Sequence, residues 1–173
     1  MEIKGGSMEL LWAPWRLSYV QKVSKGKDSA CFICDAFKDN PDNDRKNLLL
    51  HRGEKALVIL NRFPYNTAHL MVCPVRHTGD FETLLSEEMI EIDSLLKKAM
   101  KTIRKVYNPD GFNIGLNLGK VSGGSVDTHI HYHIVPRWNG DTNFMPVAAG
   151  VKVIPQSLDE TYDILREFWS KDD

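Results

Sequence analysis

Cysteine is scarce in this chain: three residues in 173, two of them paired as Cys31 and Cys34 in a Cys-x-x-Cys. Three thiols do not make the disulfide framework that holds a small secreted domain together. Net charge is equally slight, a formal −1 at pH 7. No basic field attracts a nucleic-acid backbone and no polybasic stretch holds a membrane surface, so a polyanionic ligand must be gripped by local donors. No apolar run approaches the ~20 residues of a membrane-spanning helix, and the N-terminus lacks the apolar core of a signal peptide. A cytoplasmic protein without nucleic-acid or membrane partners is therefore expected. Internal repeats and low-complexity tracts are also missing, and the length suits one compact domain, alone or with an extension.

Histidine, by contrast, is concentrated. In Asp127-Thr128-His129-Ile130-His131-Tyr132-His133-Ile134-Val135-Pro136-Arg137-Trp138, three of the six histidines alternate with apolar or aromatic residues. Ile130, Tyr132, Ile134 and Val135 favour a strand. Side chains alternate faces along a strand that rises ~3.3 Å per residue, so three imidazoles are expected in a row on one face, roughly 6.6 Å apart. Imidazole titrates near neutrality and serves as base, nucleophile or metal ligand. The triplet alone therefore indicates either a metal site or a site that transfers a charged group.

The other elements can be placed around this one. Trp12, Trp15 and Tyr19 give the start of the chain a large apolar payload, expected to pack as an arm. Cys31 to Phe37 reads as a short helix with Asp28 or Ser29 as N-cap, and Asp39 to Lys46 as a loop. Asn47–His51 and Ala56–Leu60 form a hairpin signal. His69–Pro74 is a further strand, Phe112–Leu118 another, and Lys120–Ser125 a loop leading to the histidines. Ser86 to Tyr107 carries Met89, Ile92, Leu96, Ala99, Ile103 and Val106 at helical spacing, a stripe of about six turns. Ser157 and Glu160 form a capping box for a last helix with Leu158, Tyr162, Leu165 and Trp169 on one face. Strands in hairpins with one long amphipathic helix between them predict an α+β fold, an antiparallel sheet with helices on one face.

The alternating histidines followed by Val-Pro-Arg resemble the signature of the histidine triad (HIT) superfamily of nucleotidyl hydrolases and transferases. Trp12-Ala13-Pro14-Trp15-Arg16 and Pro136-Arg137-Trp138-Asn139-Gly140-Asp141 are similar to the bacterial branch that contains diadenosine tetraphosphate phosphorylases. The resemblance covers roughly Cys31 to Trp138, implying an N-terminal extension over 1–27, a HIT domain over 28–140 and a C-terminal extension over 141–173. It further implies about five strands per subunit, a homodimer, and catalysis by His129, His131 and His133. The middle histidine, His131, would be the nucleophile and carry a nucleotidyl-histidine intermediate, discharged by phosphate or water. His133 would contact the same phosphate. Asn61 matches the residue that holds the ribose hydroxyls, and Asn117 an asparagine of the phosphate region. Gly124 and Ser125 lie in a donor-rich loop suited to an anion, where hydrolase members often have glutamine. A nucleoside phosphoramidate substrate, or a catalytically idle nucleotide-binding module, is the alternative reading.

Cys31 and Cys34 have a spacing common in structural zinc sites, although two reduced thiols without metal have the same spacing. The resemblance implies that His77 and His129 complete such a site; His51 is a spare candidate ligand, and His69 is expected to be structural. No organic cofactor is expected.

Overall fold

The computed structural model describes residues 31–122, 126–143 and 153–171. Thr142, Asn143 and Val153 belong to one compact unit, and Asp28–Asp141 with Ile154–Asp173 form the other. The Trp-rich arm, the candidate caps Asp28 and Ser29, and Gly124 and Ser125 lie outside the described residues.

Five antiparallel strands form one sheet: β1 (Leu49–Arg52), β2 (Ala56–Leu60), β3 (Leu70–Pro74), β4 (Gly111–Gly115) and β5 (Tyr132–Arg137), in the order β1-β2-β3-β5-β4. Helices α1 (Phe32–Lys38), α2 (Asp44–Asn47), α3 (Ser86–Tyr107) and α4 (Leu158–Lys171) complete the described fold. The expected α+β architecture is present, and α3 has the bounds the apolar stripe predicts. Asp39–Lys46 is more ordered than a loop: Pro41–Asn43 is a 3-10 turn running into α2. The Asp39 carboxylate accepts from Asn40 N, Asn43 Nδ2 and Asn47 Nδ2, which gathers this Asn-rich stretch into a turn.

Register assigns the two faces of the sheet. Met71 pairs with His133, which also pairs with Gly115, so these share a face with Ile59; Val72 and Tyr132, Leu70 and Ile134 share the other. Helix α3 covers the second face. The Tyr132 hydroxyl donates to Met89 Sδ at 3.7 Å, and Arg104 lies over the Phe112 ring at 5.0 Å. Ile92, Leu95, Ala99 and Ile103 are buried from α3, and each large aliphatic side chain so placed contributes roughly 1.5–3 kcal/mol. Met89, expected in this stripe, is 36% exposed, while Leu95 takes an inner position.

The strand ends depart from expectation in informative ways. β4 stops at Gly115, so Asn117 is outside the ladder. β5 starts at Tyr132, so His129 and His131 precede it. In β1 the register shifts between Leu49 and His51, which leaves Leu50 opposite no partner. Helix α4 covers that irregularity, with the Tyr162 hydroxyl donating to Leu49 O (3.0 Å) and Arg166 to Leu50 O (2.6 Å). The predicted Ser157 and Glu160 capping box starts this helix, Ser157 N reaching Glu160 Oε2 and Glu160 N reaching Ser157 Oγ, both at 3.2 Å. Tyr162, Leu165 and Trp169 are buried beneath it.

The loop leaving β3 is tied to the start of α3 by Arg76. Its guanidinium donates from Nε to Glu88 Oε1 (2.9 Å) and from a terminal nitrogen to Oε2 (2.8 Å), while Leu85 N donates to the same Oε2. These bonds, Arg76 first, hold the Glu88 carboxyl below the usual carboxylate range. Because the folded state then binds fewer protons, the stabilisation is complete above the unfolded pKa, about 4.3. It is lost as pH falls through the lower folded value. Glu88→Gln is expected to lower Tm by a few degrees at pH 7 and to shrink that difference progressively below about pH 4. Thermal unfolding of both proteins across pH 3–7 checks it, and a deficit that does not change with pH would refute the assignment.

Candidate functional site

Two clusters form where β3 and β5 part. The first joins Cys31 and Cys34 from the start of α1, His77 from the loop after β3, and His129 from the approach to β5. Their ligand atoms all lie within 4.8 Å of one another. His129 Nδ1 is 3.2 Å from Cys31 Sγ, 3.4 Å from Cys34 Sγ and 3.2 Å from His77 Nδ1, and Cys34 Sγ is 3.3 Å from His77 Nδ1. A tetrahedral site with metal–sulfur bonds of ~2.3 Å and metal–nitrogen bonds of ~2.05 Å has S···N edges of about 3.6 Å and N···N edges of about 3.3 Å. These four distances are within a few tenths of an ångström of those edges.

Its protonation also suits a cation. His129 Nε2–H donates to Pro74 O at 2.8 Å, which leaves Nδ1 as a lone pair directed at the thiols. Burial lowers the His129 pKa, so the ring is neutral at pH 7. Burial, and then the adjacent Cys31 thiol, push Cys34 up to about 11. A cation beside Cys34 would favour its thiolate form. Cys73 is fully buried in β3 and stands outside the group. His51, the spare ligand, instead packs its ring on Trp169 at 5.4 Å.

Gly79 brings the two loops together. A Cβ built there would lie 2.4 Å from Asp127 O and 3.1 Å from the Thr128 Cα, and Ile130 N donates to Thr78 O at 2.8 Å. The backbone before His131 thus pairs with a turn, not with a strand. For this reason the three histidines do not stand in one row: His129 joins the Cys/His group, while His131 and His133 meet edge to face with ring centroids 4.8 Å apart.

The second cluster is built on that pair. His131 is 5% exposed, and its Nδ1–H donates to His129 O at 2.8 Å, so Nε2 carries the lone pair. Burial lowers its pKa and keeps it neutral. His133 receives its tautomer from further away. Tyr65 N–H donates to His69 Nδ1 at 3.0 Å, which puts the His69 proton on Nε2, 2.9 Å from His133 Nδ1. His133 therefore accepts at Nδ1 and holds its own proton at Nε2. Tyr65 stacks on His69 at 4.8 Å. Ala68, at φ 58, has the left-handed backbone that turns the chain into His69, a conformation costing an alanine roughly 1–2 kcal/mol.

His69, expected to be structural, bonds directly to His133, a contact that sequence reasoning did not anticipate. Its available signal was parity: His69 is two residues before Met71, which pairs with His133, so the two histidines share a face. Asn61 also reaches this place. Its Oδ1 accepts from Phe63 N at 2.9 Å, and its Nδ2 lies 3.5 Å from His69 Nε2. Asn117 lies two residues past the end of β4, outside the ladder.

A five-stranded antiparallel sheet presenting paired histidines at the mouth of its β3–β5 ladder defines the class, and the chain belongs to the HIT domain family, which matches residues 43–140. It is 39% identical over 167 residues to the AP-4-A phosphorylase of Mycobacterium tuberculosis, covering 95% of this chain and 86% of that protein. In fold it resembles a histidine triad nucleotide-binding protein of Sulfolobus tokodaii, with a TM-score of 0.62 and 21% identity over 82% of this chain and 93% of the other. It also resembles a zinc-bound histidine triad family protein of Mycobacterium smegmatis, with a TM-score of 0.57 and 23% identity over 89% and 93% of the two chains.

Nitrogen-15 NMR of the imidazoles is expected to show His131 protonated at Nδ1 and His69 and His133 at Nε2. His69→Phe should leave His131 unchanged and make His133 a mixture of tautomers. A His133 that keeps a single Nε2–H form in the variant would break the relay.

Proposed function

We propose that this HIT-family chain cleaves nucleoside polyphosphates, with diadenosine tetraphosphate as a representative substrate, through a nucleotidyl-histidine intermediate on His131. The observation that carries this reading is the tautomer pair: a neutral His131 with its lone pair on Nε2, beside a His133 with its proton on Nε2. His131 Nε2 attacks the α-phosphorus, forming a P–N bond as the P–O bond to the leaving phosphate breaks. The ring becomes cationic, and its Nδ1–H, held against the His129 carbonyl, directs that charge at an acceptor already in place. His133 Nε2–H donates to the phosphoryl oxygens as charge builds on them. The oxygen of an acceptor then attacks phosphorus, the P–N bond breaks, and His131 is regenerated. Asn61 holds the ribose hydroxyls, and Asn117 serves the phosphate region.

The similarity to the mycobacterial AP-4-A phosphorylase supports phosphate as acceptor, and products decide it. ADP plus ATP formed only with phosphate indicates phosphorolysis; AMP plus ATP without it indicates hydrolysis. His131→Ala is expected to lower turnover at least about 10³-fold while AMP still binds. Turnover within severalfold of the unmodified protein would end the nucleophile assignment.

Zinc is the metal we assign to Cys31, Cys34, His77 and His129. Two thiols and two imidazoles at tetrahedral spacing match its preferences, and a zinc-bound protein is among the structural neighbours. It would supply a closed structural anchor for α1 and the His129 loop, leaving His131 uncoordinated. Metal analysis of protein purified without chelator should find about one zinc per chain, and Cys31→Ser about none.

Self-association is expected at β4, an edge strand whose Ile114 is 45% exposed, whereas α4 caps the opposite edge at β1. Light scattering should give twice the chain mass, and Ile114→Lys should shift it toward the monomer.

A further inference from the structure

The segment 136–141 follows the histidines and takes no part in the chemistry described above, yet it is bonded to the turn that carries His69. The β3–β5 ladder ends at Leu70 with Ile134. Two residues further along β5, Pro136 O accepts from the Asn66 side chain instead, at 3.0 Å, and the same Nδ2 donates to Asp141 Oδ2 at 2.8 Å. Both partners are acceptors, so they use both amide hydrogens of Asn66 and fix which way its carboxamide faces. Asn66 is buried, and the Asp141 side chain is only 6% exposed. A carboxylate this far from water needs donors around it. Arg137 supplies Nε at 2.6 Å and Nη2 at 2.9 Å, and Trp138 its backbone N at 3.2 Å, while Arg137 Nη1 is tied to Asn113 Oδ1 on β4 at 2.9 Å.

We infer that Asn66, clamped by Asp141, is a positioning residue for His133, holding the Tyr65 amide on His69 so that the proton of His133 stays on Nε2. This deepens the function proposed above and rests on the role given there to His133. The turn closes on itself through His69 N to Asn66 O (3.2 Å) and Tyr65 N to His69 Nδ1 (3.0 Å), and it contains the left-handed Ala68. A backbone of that shape persists where its surroundings over-determine it. The Asn66 side chain provides such a restraint, because it fastens the turn at Pro136 to the strand that also carries His133, the partner of His69. Without it, the Tyr65 amide can leave His69 Nδ1, and His69 can carry its proton on either nitrogen. Whenever that proton sits on Nδ1, His69 Nε2 becomes an acceptor and His133 must donate from Nδ1. Its Nε2 then lacks the hydrogen that the phosphoryl oxygens need. A brace with no part in the reaction would lower Tm on removal and leave that tautomer alone.

The experiment compares the full-length protein with Asn66→Ala and Asn66→Asp, the second nearly the same size but with acceptors in place of the N–H groups. Imidazole nitrogen-15 spectra at neutral pH and steady-state kinetics on diadenosine tetraphosphate are recorded for each. The unmodified protein should show His133 as a single Nε2–H form. Both variants should show a mixture of His133 tautomers with His131 unchanged, and a fall in kcat of about 10- to 100-fold with KM within about threefold. Glu88→Gln, which removes a contact of α3 on the other face of the sheet, is the control. It should lower Tm and leave both the His133 spectrum and kcat as they were.

A folded Asn66→Ala protein whose His133 keeps a single Nε2–H form would overturn the inference, as would a kcat within about twofold of the unmodified protein. Should that variant not fold, Asn66→Asp decides alone by the same two readings. Failure of the underlying reading looks different: His133→Ala would leave turnover within about twofold, whatever the spectra of the Asn66 variants.

Discussion

The pairing of β3 with β5 is the constraint from which the site follows. It runs for three residue pairs, from Leu70 and Ile134 to Val72 and Tyr132, and then stops. While it lasts, it sets His69 and His133 on one face and within 2.9 Å of each other. Where it stops, the two chains separate as loops and exchange other bonds: Pro74 O with the His129 ring, and Thr78 O with Ile130 N. A ladder three residues longer would have carried His131 and His129 into the sheet, with no Cys/His group and no carbonyl turned toward a ring nitrogen.

The outcome is a division of labour among chemically identical side chains. Four imidazoles, those of His69, His129, His131 and His133, each have a proton assigned by a different neighbour, and two of those neighbours are backbone carbonyls. A carbonyl can only accept, so a ring that donates to one must keep its lone pair on the other nitrogen. The Pro74 carbonyl leaves His129 with its lone pair on Nδ1 in this way, and the His129 carbonyl leaves His131 with its lone pair on Nε2. His133 takes the opposite polarity because a backbone amide, that of Tyr65, starts its relay from the donor side. Burial lowers the pKa of both His129 and His131, which keeps the pattern neutral and readable near pH 7.

The rest of the fold braces this junction from behind. Helix α3 lies along the face away from the histidines, and Arg76 with Glu88 fastens its first turn to the loop that leads into His77. At the far edge, α4 satisfies the carbonyls exposed by the irregular register of β1. Both are contacts between elements distant in sequence, and both involve charged or hydroxyl side chains whose pairing no periodicity reveals.

Local pattern made the elements legible. The stripe from Ser86 to Tyr107, the apolar run Ala56–Leu60 after a turn, and the Ser157 and Glu160 box depend on neighbours within one helix or hairpin, so residue order sufficed. The Cys-x-x-Cys spacing and the dense histidines announced chemistry for the same reason. Tertiary structure alone decided which histidine does what. Parity along an assumed strand put all three in one row, but the strand begins at Tyr132 because Ile130 bonds to Thr78, a partner 52 residues away in sequence. His69 looked structural because its partner is 64 residues distant, and a proton's position on imidazole depends on what touches the other nitrogen. Residue order specifies which groups a chain can bring to a reaction; the path of the backbone specifies which nitrogen of each is left to react.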